Sequence, residues 1–296
     1  MKRKGFTLVE LLVVIAIIAL LMGILMPALA RVRQLAFRLT CGTNLAGVGK
    51  AMMIYANDYD NELPRSGGKN GEWGPLPNWA ASDRYAAYGM GGTTAGKGSI
   101  TSCFYLLVKY AEVTPKSFVC KGDTGTTEFT LADEQNVPVG FELIDAWDFG
   151  KTPWDHCSYS YHDPFGKYHL TTSSEPGLAV AADRNPWIKS PAVEPGVFTE
   201  FVPDIPPYNG GSDAAIKGNA IAHQSDGQNV LFLDSHVDFA KRAYCSLEED
   251  NIYTISDSTV GKGATRGLQP TISGRTGIEP ANRRDSLLLH DPDKWR

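Results

Sequence analysis

The chain has none of the short motifs that announce common hydrolase or redox chemistry. HExxH, CxxC and GxSxG are all absent from its 296 residues, so no motif supports an enzyme. It also lacks a surplus of charge. With 28 basic and 33 acidic side chains the net charge is −5, which gives no field to attract nucleic acid, and no nucleic-acid partner is expected. Charged residues at 21% and hydrophobic residues at 43% exclude bulk disorder and an all-membrane protein. Glycine is not scarce: 30 Gly and 18 Pro point to a loop-rich body rather than a helical bundle.

Two familiar loops are incomplete. Gly91 to Lys97 runs towards a P-loop, but Gly98 stands where Ser or Thr must hold magnesium, and no apolar strand precedes it. Asp58-Tyr59-Asp60-Asn61-Glu62 starts like a calcium loop. Leu63 then replaces the required Gly, and Lys69 the closing Glu. No cofactor is expected, and calcium at 58–62 is the nearest approach to one.

What the chain does have is concentrated at its start. Lys2, Arg3 and Lys4 form a basic head, and from Phe6 to Ala30 the only ionisable side chain is Glu10. Twenty or so apolar residues suffice to span a bilayer, so residues 6–30 are expected to form a transmembrane helix. Ala28-Leu29-Ala30 would suit an ordinary signal-peptidase site, and an uncleaved anchor fits the same apolar run. Glu10 argues against both. A carboxylate in lipid costs about 2.5–3.5 kcal/mol at mid-bilayer and has no use in a disposable signal. Cutting after Gly5 would give Phe6 a new α-amino group one helical turn from Glu10, and so a partner for that charge.

Lys-Gly-Phe-Thr-Leu-Val-Glu at 4–10 resembles the signal of type IV pilins and type II secretion pseudopilins. The resemblance implies a five-residue leader (1–5), cleavage after Gly5, and N-methylation of Phe6 by a prepilin peptidase. It also implies a role for Glu10 in assembly with other pilin-like subunits. The expected setting is a bacterial inner membrane crossed once, with the body on the extracytoplasmic side and incorporation into a surface fibre in view. The fold implied is α+β, a long N-terminal helix running into a pilin-like body with a small antiparallel sheet. Some pseudopilins bind calcium, but no ligand motif matches here. The alternative is a monomeric binding protein anchored by the same leader.

Beyond the membrane, Ala28, Val32, Leu35, Leu39, Gly42, Ala46, Gly49 and Met53 recur at helical spacing. Residues 6–57 therefore read as one rod, its extramembrane half ending by 62, with a bend or break expected near Gly42. A globular body is expected over 63–246. Within it, 63–100 reads as loop, 101–110 as a short helix or strand, and 117–120, 157–161 and 178–182 as brief strands.

The clearest β signal is 219–242, where Asp226-Gly227 and Asp234-Ser235 suggest two two-residue turns. They predict a three-stranded meander in which Phe232 faces Val237. Ile221, His223, Val230, Phe232, Val237 and Phe239 would then share an apolar face. This segment resembles the prepilin-type family named for an H-x9-DG motif. It departs from that motif twice: ten residues separate His223 from Asp234, and Ser235 replaces the Gly. His223, Asp234 and His236 invite a metal reading, but the meander sets the two histidines on opposite faces. They are expected to be structural, His223 bonded to backbone and Asp234 shaping a turn, with no metal. Residues 247–296 read as a polar tail. Five cysteines allow fifteen arrangements of two disulfides, of which Cys41 with Cys120 is the pair expected first.

Overall fold

The long helix forms as one piece. In the computed structural model, which describes residues 7–92, 94–135, 137–188, 218–255, 270 and 279–293, α1 spans Leu8–Asp58. Its 51 residues amount to a rod of about 76 Å at 1.5 Å per residue. It continues through Pro27, and the break expected near Gly42 does not occur. At its far end Asp60 and Asn61 take left-handed backbone conformations, and Asn61 N donates to Ala56 O at 2.9 Å, which stops the helix.

The rod has two environments. Its N-terminal half is long and apolar enough to cross a membrane, and no residue of that apolar window is buried against the body. From Cys41 onward one stripe is buried: Cys41, Leu45, Val48, Gly49, Met52, Tyr55 and Ala56. Each large apolar side chain in it contributes about 1.5–3 kcal/mol. The stripe shares Gly49 with the expected Gly42, Ala46, Gly49, Met53 series but otherwise lies one position earlier, where Cys41, Leu45 and Met52 fill the core. Gly49 instead permits close approach, since a Cβ there would lie 2.6 Å from Leu231 Cδ1.

That leucine belongs to a five-stranded antiparallel sheet. After the short parallel pair β1 (Glu72–Trp73) and β2 (Lys97–Gly98), the strands are β3 (Tyr159–His162), β4 (Ala179–Asp183), β5 (Gln228–Phe232), β6 (Val237–Ala240) and β7 (Leu288–Leu289). Their spatial order is β6-β5-β4-β3-β7. One face packs on α1 and on α3 (Ile100–Tyr110), forming the main core. The other face is covered by a second apolar cluster that includes Trp187, Ala220, Ile252 and Tyr253. Between β1 and β2 lies the short helix α2 (Arg84–Tyr88), in a stretch expected to be all loop.

Several expectations are corrected. The meander over 219–242 is a two-stranded hairpin, β5–β6, because Ile221–His223 is a 3-10 turn. Gln224 and Ser225 both have positive φ, which no continuing strand allows. The hairpin loop holds three residues rather than two, with Ser235 at φ 70° donating its N–H to Phe232 O at 2.9 Å. Left-handed backbone there is the geometry a glycine accepts most readily. The longer loop shifts the register, so Val237 faces Leu231 instead of Phe232. Val230 and Phe232 consequently join the second cluster while Leu231 meets α1. At 117–120 a 3-10 turn, Pro115–Phe118, replaces the expected strand. Nor is 247–296 simply a tail: Leu288–Leu289 pair with β3 at the sheet edge, fully buried.

The same segment closes α3. Asp291, buried, accepts hydrogen bonds from Ile100 N (3.0 Å), Thr101 N (2.7 Å), Thr101 Oγ1 (2.8 Å) and Trp73 Nε1 (2.8 Å). It thus satisfies donors that every helix N-terminus leaves open. Beside it Asp148 accepts from Ser99, Thr101 and Phe149. Burial, reinforced by the Asp291 charge, pushes the Asp148 carboxyl up to about 8. Burial likewise raises Asp163 to about 7 and lowers His162 to about 4.

A pH dependence follows. Each acid's contribution is fully present below its ordinary value of 3.8 and is lost as pH rises through the folded value. The contribution of His162 is fully present above 6.5 and lost as pH falls towards 4. Between about pH 4 and 6.5 the gain from His162 offsets only part of the fall from the two acids, and above that only the acids act. At about 1.4 kcal/mol per unit for each group, stability should fall by roughly 2–3 kcal/mol between pH 6.5 and 8. Denaturant midpoints across that range measure it. Asp148→Asn should flatten the upper part of the decline, and a wild-type midpoint that rises instead would contradict the assignment.

Candidate functional site

The described chain begins just after the residues that matter most for processing. Gly5 and Phe6 lie outside the described residues. Thr7 is the N-cap of α1, and its hydroxyl accepts from Glu10 N at 3.3 Å. Glu10 Oε2 reaches back to Thr7 N and Thr7 Oγ1, both at 2.8 Å. This is a capping box, Thr-x-x-Glu, in which each residue satisfies an open donor of the other's backbone. The pattern Thr7-Leu8-Val9-Glu10 is legible in the sequence, so Glu10 has a local task in starting the helix beyond any pairing with an α-amine. Its carboxylate is turned towards the N-terminal end, the direction in which cleavage would create the new ammonium.

The body places the other candidates in two separate groups. Asp234 and His236 are exposed on the β5–β6 loop, paired with each other. Asp234 also accepts from His236 N at 3.1 Å, and the His236 ring stacks on Phe232 at 4.4 Å. Asp234 is therefore a turn-former that fixes its neighbour. His223 is not with them. It is buried, its ring edge-on to Phe239 at 5.9 Å. Nor is it bonded to backbone as expected: its Nε2 lies 3.2 Å from Asp183 Oδ2 and 3.2 Å from Asn229 Nδ2.

His223 also adjoins the cysteines. Cys41, on α1, and Cys120 form a disulfide with Cα atoms 5.3 Å apart, tying the rod to the loop after Phe118. Cys120 Sγ is 3.7 Å from His223 Nε2. The second disulfide expected from the cysteine count is absent: Cys103, Cys157 and Cys245 are free. Asp183, at the end of β4, carries no motif that would single it out. Its contact with His223 is made across forty residues by strand pairing alone.

Arg38 and Asp226 form an ion pair that fastens the rod to the 224–227 turn, with the Arg38 guanidinium 4.5 Å from the Phe239 ring centre. Just above, a crevice of about 920 Å³ opens between the rod at Met26–Arg38 and the loops at 121–124 and 221–225. At the calcium-like stretch, the Glu62 carboxylate pairs with Arg65 at 2.9 Å, and the Glu62 backbone bridges to Thr171.

No curated protein and no solved structure matches the chain. Residues 1–26 do match the family model of the prokaryotic N-terminal methylation motif. The chain thus carries the methylation motif of prepilin-like proteins on a helix apolar enough to cross a membrane, which implies processing by a prepilin peptidase and a membrane-associated chain.

Proposed function

We propose that this protein is a pilin-like structural subunit, cut between Gly5 and Phe6, methylated, and assembled into a type IV pilus or a type II secretion pseudopilus. The observation that carries the reading is the unpartnered N-terminal half of α1. Residues from Leu8 to Leu39 expose Leu, Val, Ile and Met almost all round, while the extramembrane half is fixed to the body. A helix apolar on every side is stable only in lipid or among other apolar helices. Before assembly the bilayer covers it, and within a fibre the same helices of neighbours do. Glu10 then pairs with the processed Phe6 ammonium of an adjacent subunit, offsetting the desolvation of both. The body stands on the extracytoplasmic side, where the Cys41–Cys120 disulfide persists.

Mass spectrometry of the mature N-terminus tests the processing step. The expected species begins at a methylated Phe6, whereas a start at Arg31 would mean ordinary signal cleavage and end this reading. Gly5→Val should leave a full-length membrane precursor, because the peptidase requires a small residue before the cut. Normal accumulation of the mature form from that variant would place the cleavage elsewhere.

A further inference from the structure

The neighbours of His223 converge in a way that hydrogen bonding alone does not use up. Ligand atoms of Cys41, Cys120 and His223 all lie within 4.8 Å of one another, and all three residues are buried. Asp183 Oδ2 is 3.2 Å from His223 Nε2, while Asp183 Oδ1 is buried with no hydrogen-bond partner. Cys120 and Asp183 approach the same ring nitrogen. In a nucleophile, histidine and carboxylate relay the acid would hold the opposite nitrogen. Three donors that meet within 4.8 Å, with the Asp183 carboxylate beside the same ring nitrogen, instead resemble the start of a tetrahedral centre.

We propose that Cys41, Cys120, His223 and Asp183 form a binding site for a thiophilic divalent cation of the zinc class, open only when the disulfide is reduced. A dithiol reductant supplies two electrons and two protons, converts the disulfide to two thiols, and becomes a disulfide itself. The cation then displaces both thiol protons and is held by two thiolates, the neutral imidazole and the carboxylate. Two thiolates, one carboxylate and a divalent ion leave one negative charge. Outer donors oppose that charge: Gly122 N lies 3.4 Å from Cys120 Sγ, and Asn229 N donates to Asp183 Oδ2 at 2.7 Å. Such outer donors orient and stabilise metal ligands. The crevice beside the rod is lined by Lys121, Gly122 and His223, and that is the side from which a cation would enter. Oxidation closes the site by joining two of its four ligands, so the cluster is either a covalent tie or a metal tie between the rod and the body.

The test uses the full chain in detergent micelles, reduced with a phosphine, stripped with a chelator, and titrated with zinc or cobalt. Reduced wild type should retain one equivalent of zinc after desalting, and with cobalt should show thiolate-to-metal charge-transfer absorption. The oxidised protein should do neither. Asp183→Asn should weaken zinc binding roughly tenfold or more, and His223→Gln more than about 100-fold, beyond what losing an outer partner costs. Failure of reduced wild type to retain metal overturns the proposal. So does undiminished binding in both variants, which would mean that the thiols act alone. If reduction unfolds the body, recovery of its near-ultraviolet circular dichroism on adding zinc supports the site, and recovery only on reoxidation overturns it.

Discussion

Glu10→Gln protein should insert in the membrane and be cut after Gly5 at the wild-type rate, yet be largely missing from fibres. The capping box makes the substitution clean. Gln at the third helical position can still accept from Thr7 N as Glu10 does at 2.8 Å, because this motif accepts either residue. The start of α1 is therefore kept and only the charge is lost. Without that charge, the Phe6 ammonium of a neighbour enters an apolar assembly unpaired, a penalty of about 3–5 kcal/mol if fully buried. That corresponds to at least a hundredfold loss of incorporation per contact. The comparison is between mature wild type and mature Glu10→Gln in sheared fibres or crosslinked membranes. Equal incorporation would remove Glu10 from the assembly contact and favour a monomeric anchored protein.

Leu231→Asp should abolish the folded body. Leu231 is 1% exposed, in β5, and a Cβ at Gly49 would touch it. An aspartate there meets α1 with no cation described beside it. The variant loses a buried leucine, worth about 2–5 kcal/mol, and adds an unpaired buried carboxylate that costs several more. Since whole domains hold only about 5–15 kcal/mol, the sum takes most of what is available. Leu231→Ala, which creates the cavity without the charge, should remain folded with a lower midpoint. If the aspartate variant unfolds at the same denaturant concentration as the alanine variant, the helix–sheet contact is not the core of the body.

The parts of the fold legible in the sequence are those with a local signal. Twenty apolar residues after a basic head announce the spanning half of α1. The β5–β6 hairpin shows through Val230, Phe232, Val237 and Phe239 around a polar turn. Its register does not, because nothing in Asp234-Ser235 reveals that Ser235 takes a left-handed conformation and lengthens the loop. Strand β7 is two leucines among Asp, Arg and His, too short for any period. The Cys41–Cys120 pair could be named from its place on the rod and at the end of the expected 117–120 strand, although a 3-10 turn stands there. Asp183 could not, for its meeting with His223 depends on the β4–β5 pairing. Thr7-x-x-Glu10 carries its capping signature openly, but the cost of a carboxylate in lipid directs attention to assembly instead.

The position of β7 sets an order of events in the making of the protein. Residues 288–291 supply both the edge strand beside β3 and the carboxylate that caps α3, whose first turn is nearly two hundred residues earlier. Until that segment has been synthesised, the sheet lacks an edge and α3 an end, and contacts so distant in sequence are slow to form. The helix at the other end needs no such completion and can enter a bilayer as soon as it is made. Anchoring thus precedes folding. The body is then held at one point, and its sheet edge and the cap of α3 are completed only by residues 288–291.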